Sequence, residues 1–121
     1  MAIRILIADD ALFMRNMIKE VFTSNEFEVV GEATNGTEAV EKYRELTPDV
    51  TTMDIVMPQK SGIEAVRDII KINKDARIVM CSALGQESLV MEAIEAGAAD
   101  FIVKPFKPEK VVEIVKKVVQ L

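Results

Sequence analysis

The stretch IRILIADD, residues 3–10, joins a run of apolar residues to two adjacent aspartates. A near-continuous apolar run of this kind predicts a strand that is buried on both faces, as in parallel sheets. Asp9 and Asp10 then stand where that strand ends. Burying charge there is costly, and neighbouring carboxylates repel each other. Capping of the following helix would explain Asp10, but it leaves Asp9 without a reason.

The alternation that begins with this stretch recurs along the whole chain. Short apolar runs alternate five times with the 3.6-residue spacing of amphipathic helices. Asn35–Gly36 marks a turn, Pro48 ends the second helix, Gly97 closes the fourth, and Pro108 opens the fifth. The predicted strands are residues 3–8, 27–33, 49–54, 77–83 and 100–103.

This order predicts an α/β fold of the (βα)5 type, with a parallel five-stranded sheet between two layers of helices. The predicted elements fill the chain, so we expect one domain over residues 1–121 and no output domain. The apolar arc of the last helix spans about 160°, wider than the ~100° stripe of a one-sided surface helix. Deep packing against the first helix and the sheet would explain the excess. So would a partner-docking face shared with helix four and Phe101.

Composition narrows the classes of function. The 20 acidic residues outnumber the 15 basic ones, which argues against nucleic-acid binding. The chain has no histidine, so it has no histidine-based catalysis and no histidine metal ligand. No apolar run approaches the ~20 residues of a membrane span, and no signal peptide is visible, so we expect a cytoplasmic protein without membrane contact. Cys81 is the single cysteine, and its apolar surroundings indicate a small buried hydrophobe.

Polar residues gather where the predicted strands end. Ligands of open α/β sheets bind outside the carboxyl ends of the strands. Asp54 ends the third strand, Ser82 lies at the end of the fourth, and Lys104 follows the fifth, whereas the second offers only Thr34 and Asn35. If the first and third strands are neighbours, all three aspartates converge, with Ser82 and Lys104 beside them.

The charges of this group favour a bound cation. Three carboxylates and one ammonium group carry a net charge of −2, which a divalent ion would neutralise. Oxygen ligands favour Mg²⁺, Mn²⁺ or Ca²⁺. Asp54 could attack phosphorus and form an aspartyl phosphate, with Lys104 opposite to neutralise charge and Ser82 donating a hydrogen bond. Taken singly, Asp54 could be a turn residue, Lys104 a solvated surface lysine, and Ser82 a partner of local backbone groups.

Four motifs together resemble the receiver domain of two-component response regulators. They are IADD at 7–10, MDIVMP at 53–58, CSA at 81–83 and VKPF at 103–106. The resemblance covers essentially the whole chain and is strongest to the stand-alone chemotaxis members. It implies a flavodoxin-like three-layer sandwich. The strand order 2-1-3-4-5 is a known property of such sheets and comes with the resemblance.

The resemblance also implies roles for individual residues. Asp54 would accept the phosphoryl group. Mg²⁺, or Mn²⁺ in its place, would bind to Asp10 and Asp54 directly, to Asp9 through water, and to the backbone carbonyl of Val56. Lys104 would pair with the phosphoryl group, and its bond to Pro105 would be cis. The switch pair would be Ser82 and Phe101, where chemotaxis relatives often carry tyrosine at the second position. Val56 and Leu84 are apolar where relatives often carry polar groups beside the site.

The function implied is a phosphorylation-activated switch of chemotaxis. The chain, acting as a monomer, would take its phosphoryl group from a histidine kinase and then change its affinity for a motor, switch or adaptor protein, with a phosphatase as a further partner. A phosphorelay intermediate would use the same chemistry and is the main alternative. A phosphatase of the haloacid-dehalogenase type would need an acid two residues after its nucleophile, where this chain has Val56. A degenerate scaffold receiver is disfavoured because all five polar site residues are present.

Overall fold

The computed structural model describes residues 2–83 and 85–120 and confirms the predicted fold. Five parallel strands form one sheet in the order β2-β1-β3-β4-β5. The strands are β1 (Arg4–Ala8), β2 (Glu28–Ala33), β3 (Val50–Met53), β4 (Ile78–Ser82) and β5 (Asp100–Val103). The helices are α1 (Leu12–Thr23), α2 (Gly36–Leu46), α3 (Gly62–Ile72), α4 (Glu87–Ala96) and α5 (Pro108–Val119).

The strand limits differ slightly from the prediction. The first four strands are one residue shorter at one or both ends, and the fifth agrees. Strand pairing stops where the chain turns into a loop. At Asp54, for example, the carboxylate already accepts a hydrogen bond from the backbone N–H of Ile55. The polar residues therefore lie just beyond the strands, on loops that the sheet positions.

Two apolar layers cover the sheet. Alternate residues of each strand point to opposite faces, so Ile5 and Ile7 pack with α1 and α5, whereas Leu6 packs with α2, α3 and α4. In α5, four residues are buried in the first layer and two more are partly buried against it; these are Val111, Ile114, Val115, Val118, and Val112 with Val119. Deep packing accounts for the wide apolar arc of α5.

The helix ends follow the local sequence. Asn35 caps α2 by accepting a hydrogen bond from the backbone N–H of Glu38 at 2.7 Å, and Ser61 caps α3 in the same way at 3.2 Å. Gly97 ends α4 with φ 121°, a backbone conformation that favours glycine. Of the helices in residues 2–83 and 85–120, none has the length and apolar character needed to cross a bilayer.

Candidate metal and phosphoacceptor site

The site lies at the carboxyl edge of the sheet. Asp9, Asp54 and Lys104 each follow the last residue of a strand, and Ser82 is the last residue of β4. Because β1 and β3 are neighbours and β4 and β5 lie beside them, the ends of four strands meet at one edge. The sheet thus brings together polar residues that are far apart in the chain.

Three carboxylates converge at this edge. Asp9, Asp10 and Asp54 each offer an oxygen atom, and these atoms lie within 4.8 Å of one another. Asp9 is buried, Asp54 is half-buried, and Asp10 is exposed. A compact set of carboxylate oxygens with one open side suits a hard divalent cation, which prefers oxygen ligands and keeps part of its water shell. The donor set could therefore bind a metal ion.

Asp9 is fixed at both oxygens of its carboxylate. Its Oδ1 accepts a hydrogen bond from the backbone N–H of Ala11 at 2.9 Å, and its Oδ2 accepts one from Lys104 Nζ at 2.7 Å. The capping explanation for Asp10 is wrong, because the residue before α1 is Ala11 and that helix has no side-chain cap. Asp9 accepts the hydrogen bond from the backbone N–H of Ala11, the first residue after the aspartate pair. The Asp10 carboxylate faces solvent.

Lys104 provides the cationic group of the site. Its Nζ lies 2.7 Å from Asp9 Oδ2 and 3.5 Å from Asp54 Oδ2, so one ammonium group pairs with two carboxylates. Burial by itself lowers the pKa of Lys104, but the hydrogen bond to Asp9 and the charge of Asp54 outweigh it and raise the pKa above its ordinary value. Lys104 is therefore a stable cation here. Its peptide bond to Pro105 is cis.

Asp54 stands between these charges. Its Oδ1 accepts a hydrogen bond from the backbone N–H of Ile55 at 2.7 Å. Burial raises the pKa of Asp54 above its ordinary value; Lys104 opposes this, Asp9 adds to it, and a hydrogen bond from Ser82 lowers the pKa in part. A cation that offsets the repulsion between the carboxylates would favour the ionised, nucleophilic form.

The loop after Asp54 is pinned at both ends by close backbone contacts. A Cβ atom at Gly62 would lie 1.9 Å from the carbonyl oxygen of Asp54, and one at Gly36 would lie 2.1 Å from that of Lys60. The backbone N–H groups of these two glycines donate hydrogen bonds to Ile55 and Lys60. Only glycine permits these approaches, so Gly62 fixes where the Asp54 backbone lies and Gly36 fixes the backbone at Lys60.

The remaining predicted site residues occupy different surroundings. Ser82 is buried beside Asp54, and Val56 is exposed in the β3–α3 loop. Phe101 is half-buried and packs against the apolar layer that contains α4. Leu84 lies outside the described residues. No sequence motif pointed to Arg15, which donates a hydrogen bond to the Asp9 carbonyl, because an arginine on a helix ordinarily indicates a solvated face.

The family pattern of the response regulator receiver domain matches residues 5–116. The chain belongs to this family. The receiver domain is 60% identical to the chemotaxis protein CheY of Thermotoga maritima over 115 residues, which are 95% of this chain and 96% of the relative. It is 59% identical to the chemotaxis protein CheY of Bacillus subtilis over 117 residues, covering 97% and 98% of the two chains.

Solved structures agree with this membership. The receiver domain superimposes with a TM-score of 0.93 on a chain of the CheX–CheY–BeF3–Mg²⁺ complex from Borrelia burgdorferi. The sequence identity is 40%, and the match covers 96% of this chain and 88% of the other. The receiver fold therefore rests on sequence and structure alike.

Proposed function

We propose that this receiver domain is a phosphorylation-activated signalling switch of a two-component chemotaxis system, and that it acts in the cytoplasm. Asp54 accepts a phosphoryl group from a histidine kinase in the presence of Mg²⁺. The observation that carries the proposal is the convergence of three carboxylates within 4.8 Å, beside a lysine that pairs with two of them. The high identity to chemotaxis relatives supports the choice of pathway.

The chemistry proposed is a transfer between two side chains. An oxygen of Asp54 attacks the phosphorus of a phosphohistidine, the P–N bond breaks, and the imidazole leaves with the bonding electron pair and takes up a proton. Mg²⁺ bound by Asp10, Asp54, the Val56 carbonyl and, through water, Asp9 would neutralise charge on the phosphoryl oxygens. Lys104 lies 3.5 Å from Asp54 Oδ2, within reach of a phosphoryl group added there.

The proposed output is a change in affinity for a second protein. Ser82 is buried beside the phosphoacceptor, and Phe101 is half-buried on the neighbouring strand β5. A phosphoryl group on Asp54 would draw the Ser82 hydroxyl towards it and leave space that the Phe101 ring could fill. The side chains of Met91 and Ile94 on α4 and of Val103 on β5 are exposed, and Val103 is the register partner of Ser82. A movement of the Ser82–Phe101 pair would therefore alter a surface that a partner can bind.

The proposed partners are a chemotaxis histidine kinase, a motor, switch or adaptor protein, and a phosphatase that resets the switch. The Borrelia burgdorferi relative was solved in complex with a second protein, BeF3 and Mg²⁺. That complex supports binding of a partner protein to the phosphorylated state of the domain. In this proposal the protein is a monomeric switch and not an enzyme that turns over a substrate. Val56 supports that view, because it supplies no acid or base near the nucleophile.

Replacement of the phosphoacceptor tests the proposal. Asp54→Asn should abolish labelling from a cognate kinase that carries radioactive phosphohistidine, because an amide oxygen is too weak a nucleophile. Asp75→Asn is the matched control, since it makes the same change of charge at an exposed position on the α3–β4 loop. We expect the control to label like the unmodified chain. Undiminished labelling of Asp54→Asn, with a native circular dichroism spectrum, would contradict the proposal.

A binding experiment separates the switch from the phosphorelay alternative. The chain loaded with BeF3 and Mg²⁺ is offered to a flagellar switch protein, and the chain phosphorylated on Asp54 by the kinase is offered to a histidine phosphotransfer domain. A switch should gain affinity for the first on loading. A relay intermediate should instead transfer its phosphoryl group to the second within the time of the assay. Steady turnover of small phosphate esters would contradict both and favour an enzyme.

A further inference from the structure

The residues from Asp9 to Ala11 connect β1 to α1 and carry the exposed Asp10 carboxylate. In residues 2–83 and 85–120, no side-chain hydrogen bond reaches that carboxylate. Its position therefore depends on the backbone that bears it. The decisive unit is the peptide group between Asp9 and Asp10, because its plane sets the direction in which Asp10 leaves the strand.

That peptide group is held from one side by Arg15. Arg15 Nη1 donates a hydrogen bond to the Asp9 carbonyl oxygen at 2.8 Å, and its Nε donates one to Glu32 Oε1 on β2 at 3.2 Å. A guanidinium group is planar and rigid, so binding both acceptors fixes the carbonyl relative to the sheet. The backbone N–H of Asp9 is bound as well, to Ala33 on the same strand β2.

The burial of Arg15 shows that this contact is more than a surface ion pair. Its side chain is 11% exposed, against 48% for Lys19, which also pairs with Glu32. Removing a charge from water is costly, and the carbonyl and carboxylate partners offset that cost. The two cations that pair with Glu32 therefore differ in their other contacts: Arg15 also hydrogen-bonds the backbone of the site, and Lys19 does not.

We propose that Arg15, supported by Glu32, is a positioning residue that orients the Asp9–Asp10 peptide so that Asp10 can bind the metal ion. The inference rests on the proposed function, because it takes Asp10 as a ligand. The positioning effect of Arg15 on Mg²⁺ binding and the effect of its charge have opposite signs, so an experiment can distinguish them. Removing a positive charge near a cation site should by itself strengthen cation binding. Loss of positioning should weaken it.

Calorimetric titration of the purified chain with MgCl2 tests this directly. Arg15→Met should weaken Mg²⁺ binding about tenfold, the lower end of the effect of residues that orient metal ligands. Arg15→Lys keeps the charge but loses the planar fork, so it should also bind Mg²⁺ more weakly. Lys19→Met is the matched control, because it removes the other cation on Glu32 and leaves Asp9 untouched. Its affinity should stay within about twofold of the unmodified chain, since exposed ion pairs contribute little.

A second readout needs no metal. Amide hydrogen exchange of Ala11, whose N–H is bound by Asp9, should be faster in Arg15→Met and unchanged in Lys19→Met. Folded Arg15 variants that bind Mg²⁺ as well as or better than the unmodified chain would overturn the inference. An unmodified chain that binds Mg²⁺ but accepts no phosphoryl group would contradict the proposed function alone. A chain that does not bind Mg²⁺ would contradict both.

Discussion

Thr51 and Thr52 bring two hydroxyl groups into the middle of the central strand β3. Both are buried, and neither hydroxyl has a hydrogen-bond partner in the part of the chain that the structure describes. A buried polar group without a partner costs about 1–3 kcal/mol. Valine has nearly the same shape and no hydroxyl, so Thr51→Val and Thr52→Val should each raise the free energy of unfolding by about 1 kcal/mol.

Urea unfolding measures this gain. Thr34→Val is the control, because Thr34 is exposed and its hydroxyl lies 3.4 Å from the Glu38 carboxylate. That variant should gain nothing. A loss of stability in both buried variants would mean that the hydroxyls are bound after all, by water or by a shifted backbone.

At Cys81, burial suppresses the reactivity of the side chain. Burial raises the pKa of its thiol to about 12 from 9.0. The native chain therefore holds the thiol proton over a range in which the unfolded chain loses it. Stability that is present below pH 9.0 should decline as the pH rises towards 12, because the thiolate forms more readily after unfolding.

Thiol labelling at pH 8 gives a direct measurement. Reaction with a disulfide reagent should be slow in the native chain and complete in denaturant, because the thiolate is the reactive form. The protein has one cysteine, so the signal needs no assignment. Rapid labelling without denaturant would show that the β4 region opens to solvent.

At the scale of elements, the start of α3 at Gly62 has no room for added volume. Gly62→Ala would place a Cβ atom 1.9 Å from the Asp54 carbonyl oxygen, where the atoms on both sides belong to the backbone. We expect a loss of about 3 kcal/mol in the free energy of unfolding, at the upper end of overpacking effects. The added Cβ atom should also shift the β3–α3 loop and displace Asp54, so phosphoryl labelling from the kinase should fall.

A second glycine provides the comparison. At Gly31, a Cβ atom would meet the end of the flexible Leu46 side chain at 2.6 Å, which can move aside. Gly31→Ala should therefore cost less than Gly62→Ala, and it should leave labelling unchanged. If urea unfolding shows that both variants lose the same free energy of unfolding, the backbone contact at Gly62 costs no more than the side-chain contact at Gly31.

At the scale of the whole molecule, periodicity predicted the alternation of strands and helices because apolar faces must be buried. Parallel strands also align their carboxyl ends, so Asp9, Asp54, Ser82 and Lys104 could be grouped before the sheet was known. Spacing alone did not determine which strands are neighbours. The link from Arg15 to Glu32 joins residues 17 apart, on elements whose relative placement depends on the packed fold, and no local pattern reveals it.

The acidic site also affects the stability of the entire fold. Asp9, Asp10 and Asp54 repel one another, and Lys104 neutralises only part of their charge. A cation that binds the native chain and not the unfolded one stabilises it by mass action, by about 2.7 kcal/mol at one hundred times the dissociation constant. Millimolar Mg²⁺ should therefore raise the melting temperature, whereas KCl at equal ionic strength should raise it less.

Asp10→Asn divides this effect into its parts. It removes one of the repelling charges and one candidate ligand, so the metal-free variant should melt above the unmodified chain and should lose most of the response to Mg²⁺. Asp75→Asn, remote from the site, should change neither quantity. Thermal unfolding followed by circular dichroism gives both values in one series. If Mg²⁺ leaves the melting temperature of the unmodified chain unchanged and Asp10→Asn does not raise it, the two adjacent aspartates require a different explanation.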